Sequence, residues 1–140
     1  MSRFTAQEIE YLQSQRLGRL ATVNAKGDLH VVPTSFRYNP ETDTIDIGGH
    51  SITTSKKYRD ALQHGRVAYG VDDVLPPWRP RMVEIRGTVE AVAEGGQAIN
   101  QNFAPAILRL TPTHIVSFGV GDDPVQSSQG LASTQGMKVT

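Results

Sequence analysis

Arg81-Met-Val-Glu-Ile-Arg-Gly-Thr-Val-Glu-Ala-Val-Ala93 alternates with a period of two. Val83, Ile85, Val89 and Ala91 fall on one side, and Glu84, Arg86, Thr88 and Glu90 on the other. Successive side chains of a strand point to opposite faces, so this stretch reads as a half-buried β-strand. Gly87 lies on the apolar side, where a missing side chain marks a bend, a bulge or a close backbone approach. The pattern recurs on both flanks. Residues 18–23, a tight turn Asn24-Ala-Lys-Gly27 and residues 29–38 form an antiparallel hairpin. A second turn, Asn39-Pro-Glu-Thr-Asp43, leads to a strand over 44–48. Further strands are expected at 66–71, 106–110 and 114–120. Residues 72–80 interrupt the series with three prolines and the only tryptophan.

Helices are few. Thr5-Ala-Gln-Glu8 is a capping box and Phe4 with Ile9 is the matching hydrophobic staple, so a short helix begins at Ala6. A second is expected over 55–64, with Tyr58, Ala61 and Leu62 on one face and Gly65 as its C-terminal cap. A third, shorter one falls near 97–102. Six or seven short strands at hairpin spacing predict a mainly β fold, a closed or nearly closed antiparallel barrel. There is no βαβ alternation and no internal repeat. Residues 1–120 read as one domain, and the Gly-, Ser- and Gln-rich residues 121–140 as a mobile tail.

A chain of 140 residues builds one core but leaves little room for a deep private pocket, so a sizeable ligand is most economically held between two subunits. The 14 basic residues balance 14 acidic ones, which argues against a general nucleic-acid or membrane-surface binder. No cysteine is present, which excludes disulfides, thiolate catalysis and Cys-ligated metals. No run approaches a membrane span and the start carries no apolar signal core, so a cytoplasmic protein is expected.

Catalytic motifs are absent. The chain has no GxxxxGKS/T loop, no GxSxG elbow, no HExxH and no GxGxxG after a strand. His30, His50, His64 and His114 lack metal-ligand spacing, and the Asp72-Asp73 and Asp122-Asp123 pairs read as turn formers. No catalytic side chain and no metal site are assigned.

Four features remain. Gly48-Gly-His-Ser-Ile-Thr-Thr-Ser-Lys-Lys57 runs from a strand end, through a hydroxyl-rich turn, into a helix whose first turn carries two lysines. A cation there opposes the helix dipole at a cost of about 0.3–1 kcal/mol. It becomes favourable when an anion docks, because amides, the Thr54 and Ser55 hydroxyls and the Lys56 and Lys57 ammonium groups converge on it. The alternative is a solvated lysine pair on an exposed turn. Pro33 interrupts a strong strand and makes it an edge, a bulge or a place where the sheet opens, with Thr34 and Ser35 beside the freed backbone. Pro76-Pro-Trp-Arg-Pro-Arg81 offers Trp78 with Arg79 and Arg81 for stacking on a ring, pairing with anions or anchoring a dimer; otherwise it is a surface loop stapled by its tryptophan. Arg16 and Arg19 face either solvent or a carboxylated ligand. Together these describe a non-covalent site for a planar phosphorylated ligand, the situation in which a cofactor carries the chemistry.

In that order, residues 16–23, 30–38, 45–50 with 54–60, 77–81 and 83–87 resemble the pyridoxamine 5′-phosphate oxidase-like split-barrel flavoproteins. The similarity is to the actinobacterial branch that uses the deazaflavin coenzyme F-420, and it covers roughly residues 5–120. The resemblance implies a homodimer with two cofactor sites in the grooves between subunits. By position, Val32, Pro33, Thr34 and Ser35 would lie along the ring, and His50, Ser55, Lys56 and Lys57 would hold the phosphate and ribityl chain. Trp78, Arg79 and Arg81 would complete the site. The family shows no dedicated side chain for hydride transfer. The short, charge-poor segment 96–105 and the tail depart from the family pattern on the substrate side. The expected activity is hydride transfer from reduced coenzyme F-420 to a small conjugated or quinone-like acceptor. The alternatives are an FMN-dependent oxidoreductase of the same fold and a cofactor-carrying protein without turnover.

Overall fold

The computed structural model describes residues 1–121 and the backbone of residues 138 and 139. Helix α1 (Ala6–Ser14) is followed by strands β1 (Leu17–Val23), β2 (Leu29–Asn39) and β3 (Thr44–Gly48). A 3-10 turn (Ile52–Thr54) leads into α2 (Lys56–His64), then β4 (Arg66–Leu75), β5 (Arg79–Val92), α3 (Gly96–Ile99), β6 (Ile107–Phe118) and the short β7 (Lys138–Val139). All pairings are antiparallel, in the order β3-β2-β1-β4-β5-β6-β7, and β3 also pairs with β6. That last pairing closes a six-stranded barrel, the architecture anticipated from the alternating segments.

Inward residues fill the barrel. Leu20, Ile45, Ile47, Tyr69, Val71, Val83, Ile85, Leu108 and Leu110 are all fully buried. Tyr69 lies against Gly18, where an added Cβ would sit 2.2 Å from the ring. Its hydroxyl bonds the Thr34 hydroxyl at 2.8 Å and donates to the Thr34 carbonyl at 3.1 Å. Gly87 does mark a close approach. A Cβ there would meet the Thr111 carbonyl oxygen at 2.0 Å, and the β5–β6 register shifts between Arg86 and Gly87.

The barrel seam carries a buried ionic cluster. Asp46 on β3 is 1% exposed and accepts from Arg109 on β6 at 3.0 and 3.2 Å, from Asn39 at 2.9 Å and from Thr44 at 3.0 Å. A carboxylate held so far from water needs its oxygens filled in this way. The α1 capping box forms as expected, Glu8 accepting from the Thr5 amide while Thr5 accepts from that of Glu8. The same buried Glu8 also takes a 2.5 Å bond from Ser117 on β6, so the cap fastens α1 to the barrel.

Three boundaries differ from expectation. β4 continues through Asp72 and Asp73 to Leu75, so these carboxylates belong to a strand and not a turn. They are tolerated because their strand pairs with β5 beyond the end of β1, and each finds a cation: Asp72 pairs with Arg19 at 3.5 Å and Asp73 with Arg81 at 2.6 Å. β6 is one strand, not two, because the β5–β6 register skips Thr113 and pairing then resumes. α3 is a single turn, shorter than the helix anticipated over 97–102. Most of the tail, including Asp122-Asp123, lies outside the described residues; the backbone at 138–139 pairs with Val116 and Ser117. No described helix is long and apolar enough to cross a membrane.

Candidate functional site

β2 is long and β3 is short. β1 accompanies β2 from Leu29 to Ser35, whereas β3 begins pairing only at Ser35, opposite Gly48. Before Ser35 the second edge of β2 is therefore bare among the described residues, and Pro33 sits in that bare stretch. Of the readings given for Pro33, this stretch is an edge: β2 is paired with β1 on one side and bare on the other. Thr34 turns inward to Tyr69 and Val32 packs against the core, so their side chains are spent on the fold. Pro33 and Ser35 point outward.

The Ser35–Gly48 pair brings this bare edge next to the turn that starts α2. Here the hydroxyls are partly committed. Ser55 is the N-cap, accepting from the Tyr58 amide at 3.3 Å and donating to the Ile52 carbonyl at 2.6 Å. Thr54 donates to the Ser51 carbonyl at 3.0 Å. Lys56 is shared with the buried Asp60, 2.7 Å away and one turn on, which relieves some of the dipole conflict. Lys57 makes no ion pair among the described residues. The amides of Lys56 and Lys57 likewise have no acceptor there, as first-turn amides of a helix do not. Two amides and an unshared ammonium, with a second ammonium beside them, are the donor set a phosphate monoester requires. The sequence-predicted phosphate residues thus fit the group, with Ser55 acting by shaping the helix start. His50 is exposed at the turn, its ring edge-on to Phe103 at 5.0 Å and its Nδ1 3.1 Å from the Asn102 carbonyl.

Trp78 and Arg79 stand apart from this cluster, at the tip of the β4–β5 hairpin. Trp78 is 72% exposed. Arg81 is spoken for. It forks onto Asp73 at 2.9 and 2.6 Å, and its guanidinium stacks 4.8 Å from the centre of the Tyr11 ring. Tyr11 donates to the same carboxylate at 2.9 Å. The Arg81 hydrogen bonds hold the Asp73 carboxyl below the usual range, outweighing its partial burial, and Asp73 in turn raises Arg81. Burial, with the bond to Asp73, pushes Tyr11 up. This cluster ties the hairpin to α1. Sequence reasoning gave Tyr11 and Asp73 no role, and no local signal joins residues 62 positions apart.

The outer wall of β2, β1 and β4 carries several exposed apolar side chains on either side of the Arg19–Asp72 ion pair. Leu29 and Val31 are 78% and 66% exposed, and Leu17 and Val74 are about half exposed. A shallow depression of about 230 Å³, lined partly by Ala21, Val23, Leu29 and Ala68, runs along it.

A closed antiparallel barrel with an opened strand edge beside a basic helix start defines a split-barrel protein of the flavin-binding type. The chain belongs to the pyridoxamine 5′-phosphate oxidase family, whose sequence pattern matches residues 4–138. It is 42% identical over 122 residues to the 5a,11a-dehydrotetracycline/5a,11a-dehydrooxytetracycline reductase of Streptomyces rimosus, covering 86% of both chains. Among solved structures, it superposes on an F-420 reductase with a TM-score of 0.59 and 26% identity, over 76% of this chain and 94% of the other. A conserved hypothetical protein from Mycobacterium tuberculosis gives 0.66 at 18% identity, over 86% of each chain. An FAD-binding protein from Mycobacterium smegmatis gives 0.61 at 22%, over 81% of this chain and 93% of the other; these last two establish the fold alone.

Proposed function

We propose that the protein is a reductase that binds reduced coenzyme F-420 and acts on a conjugated, polyoxygenated ring system or quinone-like acceptor. The observation that carries this reading is the Ser35–Gly48 pairing, which sets the bare edge of β2 beside the unshared Lys57 and the free amides of α2. A flat heterocycle along the first and a phosphate at the second are the two ends of a ribityl-phosphate cofactor. The Streptomyces rimosus relative, named for reducing a dehydrotetracycline, supports the acceptor class.

When bound, the reduced deazaflavin supplies the hydride. The chain's contribution is to bind, orient and exclude water. Lys57 and the Lys56 and Lys57 amides hold the phosphate, with Lys56 assisting from its bond to Asp60. The backbone at Val32–Ser35 offers its unpaired groups to the ring edge. His50 closes the turn over the chain between them. Leu17, Leu29, Val31 and Val74 are exposed apolar residues of the outer face, and a homodimer formed there would cover them and could set the Trp78–Arg79 hairpin tip of one protomer against the site of the other. Within one chain these two groups stand apart, so the site reads as half-built until a second copy arrives.

Titration of the purified protein with coenzyme F-420 and with FMN, followed by an assay of 5a,11a-dehydrotetracycline reduction, tests the reading. The expected result is tighter binding of the deazaflavin and turnover that depends on it. Preference for FMN with turnover would replace the cofactor and keep the site. Tight binding without reduction of any enone or quinone would mark a carrier. Binding of neither would overturn the assignment, as would a strictly monomeric protein in sedimentation.

A further inference from the structure

We propose that the groove between α1, β2 and α3 is the acceptor subsite, and that Arg16 and Arg37 in it recognise an anionic edge, an enolate or a carboxylate, of a planar acceptor. The proposal rests on the reading that a cofactor ring lies against β2. Two clefts of about 350 and 410 Å³ share Gln15, Phe36 and Ile99 and so form one continuous groove. Arg37 lines the first part, and Arg16 with Ser35 and Asn100 the second. Ser35, paired with Gly48, is the residue at which the bare stretch of β2 ends, so the groove begins beside the place given to the ring. Pro33, Ser35 and Arg37 share the outer face of β2, because alternate strand residues point the same way.

Arg19, Arg81, Arg86 and Arg109 are each paired with a carboxylate. Arg16 and Arg37 form no ion pair among the described residues, and no Asp or Glu lines either cleft. Arg59, Arg66 and Arg79 also lack an ion pair among the described residues, but Arg16 and Arg37 are two such arginines that line one groove. They line it together with Ile99 and the Gln15 and Asn100 carboxamides. Guanidinium matches a planar oxygen pair in fork geometry, and the apolar Ile99 suits contact with a ring. The sequence left Arg16 open between solvent and a carboxylated ligand; its place in the groove supports the ligand.

The test compares two probes that differ by one methyl group: 2-hydroxy-1,4-naphthoquinone, ionised at neutral pH, and its neutral 2-methoxy ether. Calorimetric titration is run on the protein alone and on protein saturated with coenzyme F-420. The anion should bind about tenfold or more tightly than the ether. Arg16→Ala and Arg37→Ala should each weaken the anion about 10–100-fold and leave the ether, the F-420 affinity and the melting temperature unchanged. Arg37→Lys, which keeps the charge, should restore part of the loss. Equal affinity for the two probes, or no effect of either substitution, overturns the proposal. Loss of F-420 binding with anion selectivity intact would instead sink the cofactor reading and leave the groove standing.

Discussion

Lys56 and Lys57 are adjacent in sequence, yet the structure predicts that their removal has different consequences. Lys57 has no partner among the described residues, so Lys57→Ala subtracts only what the lysine does for a bound phosphate. A charge-assisted hydrogen bond contributes about 1.5–3 kcal/mol, which is roughly a 10–150-fold loss of cofactor affinity. The melting temperature should stay put. Lys56 is also the one ion-pair partner of Asp60 among the described residues, and Asp60 is 8% exposed. Lys56→Ala therefore strands a buried carboxylate at a cost of about 1–3 kcal/mol. With an unfolding entropy of about 0.3 kcal/mol/K for a chain of this length, that lowers the melting temperature by roughly 3–10 °C. Affinity is read by fluorescence titration with coenzyme F-420 at low and high salt, and stability by scanning calorimetry on the same samples. Raising the salt should weaken wild-type binding more than that of Lys57→Ala. Unchanged affinity in Lys57→Ala would refute the phosphate assignment. Equal destabilisation by both substitutions would refute the division of labour.

Arg109→Ala should be the most damaging change at the barrel seam, costing about 3–5 kcal/mol in urea unfolding because Asp46 stays buried without its cation. Asp73→Asn tests the hairpin anchor through pH. The folded carboxyl titrates below the usual value, so its stabilising effect is complete above about pH 3.9 and fades as pH falls through the lower folded value. The variant should melt lower than wild type at neutral pH, with the gap narrowing in acid; a constant gap would mean that charge is not involved. Val31→Arg places a charge among the exposed apolar residues of the outer face and should shift sedimentation from dimer to monomer without disturbing the circular dichroism spectrum.

Much of the barrel was legible because it is written locally. The alternation at residues 83–91, the Thr5–Glu8 box and the Gly65 cap each state their conformation within a few positions. What escaped depends on distant partners. Asp72 and Asp73 look like turn residues until Arg19 and Arg81 are placed beside them. Thr113 looks like the gap between two strands until β5 shows that the chain merely steps past it. The Lys56–Lys57 pair stood out because a lysine pair at a helix start is locally unfavourable. Arg37 passed unnoticed because one arginine in a strand breaks no local rule, and only the fold shows that it has no ion pair among the described residues.

A strand edge left bare exposes a row of backbone donors and acceptors, and such a row recruits other chains as readily as cofactors. The bare stretch of β2 is in that position whenever its site is empty. Pro33 contributes no amide hydrogen to the row, and its ring crowds any strand that tries to align there. Pro33 thereby guards the bare stretch of β2 against stacking into aggregates.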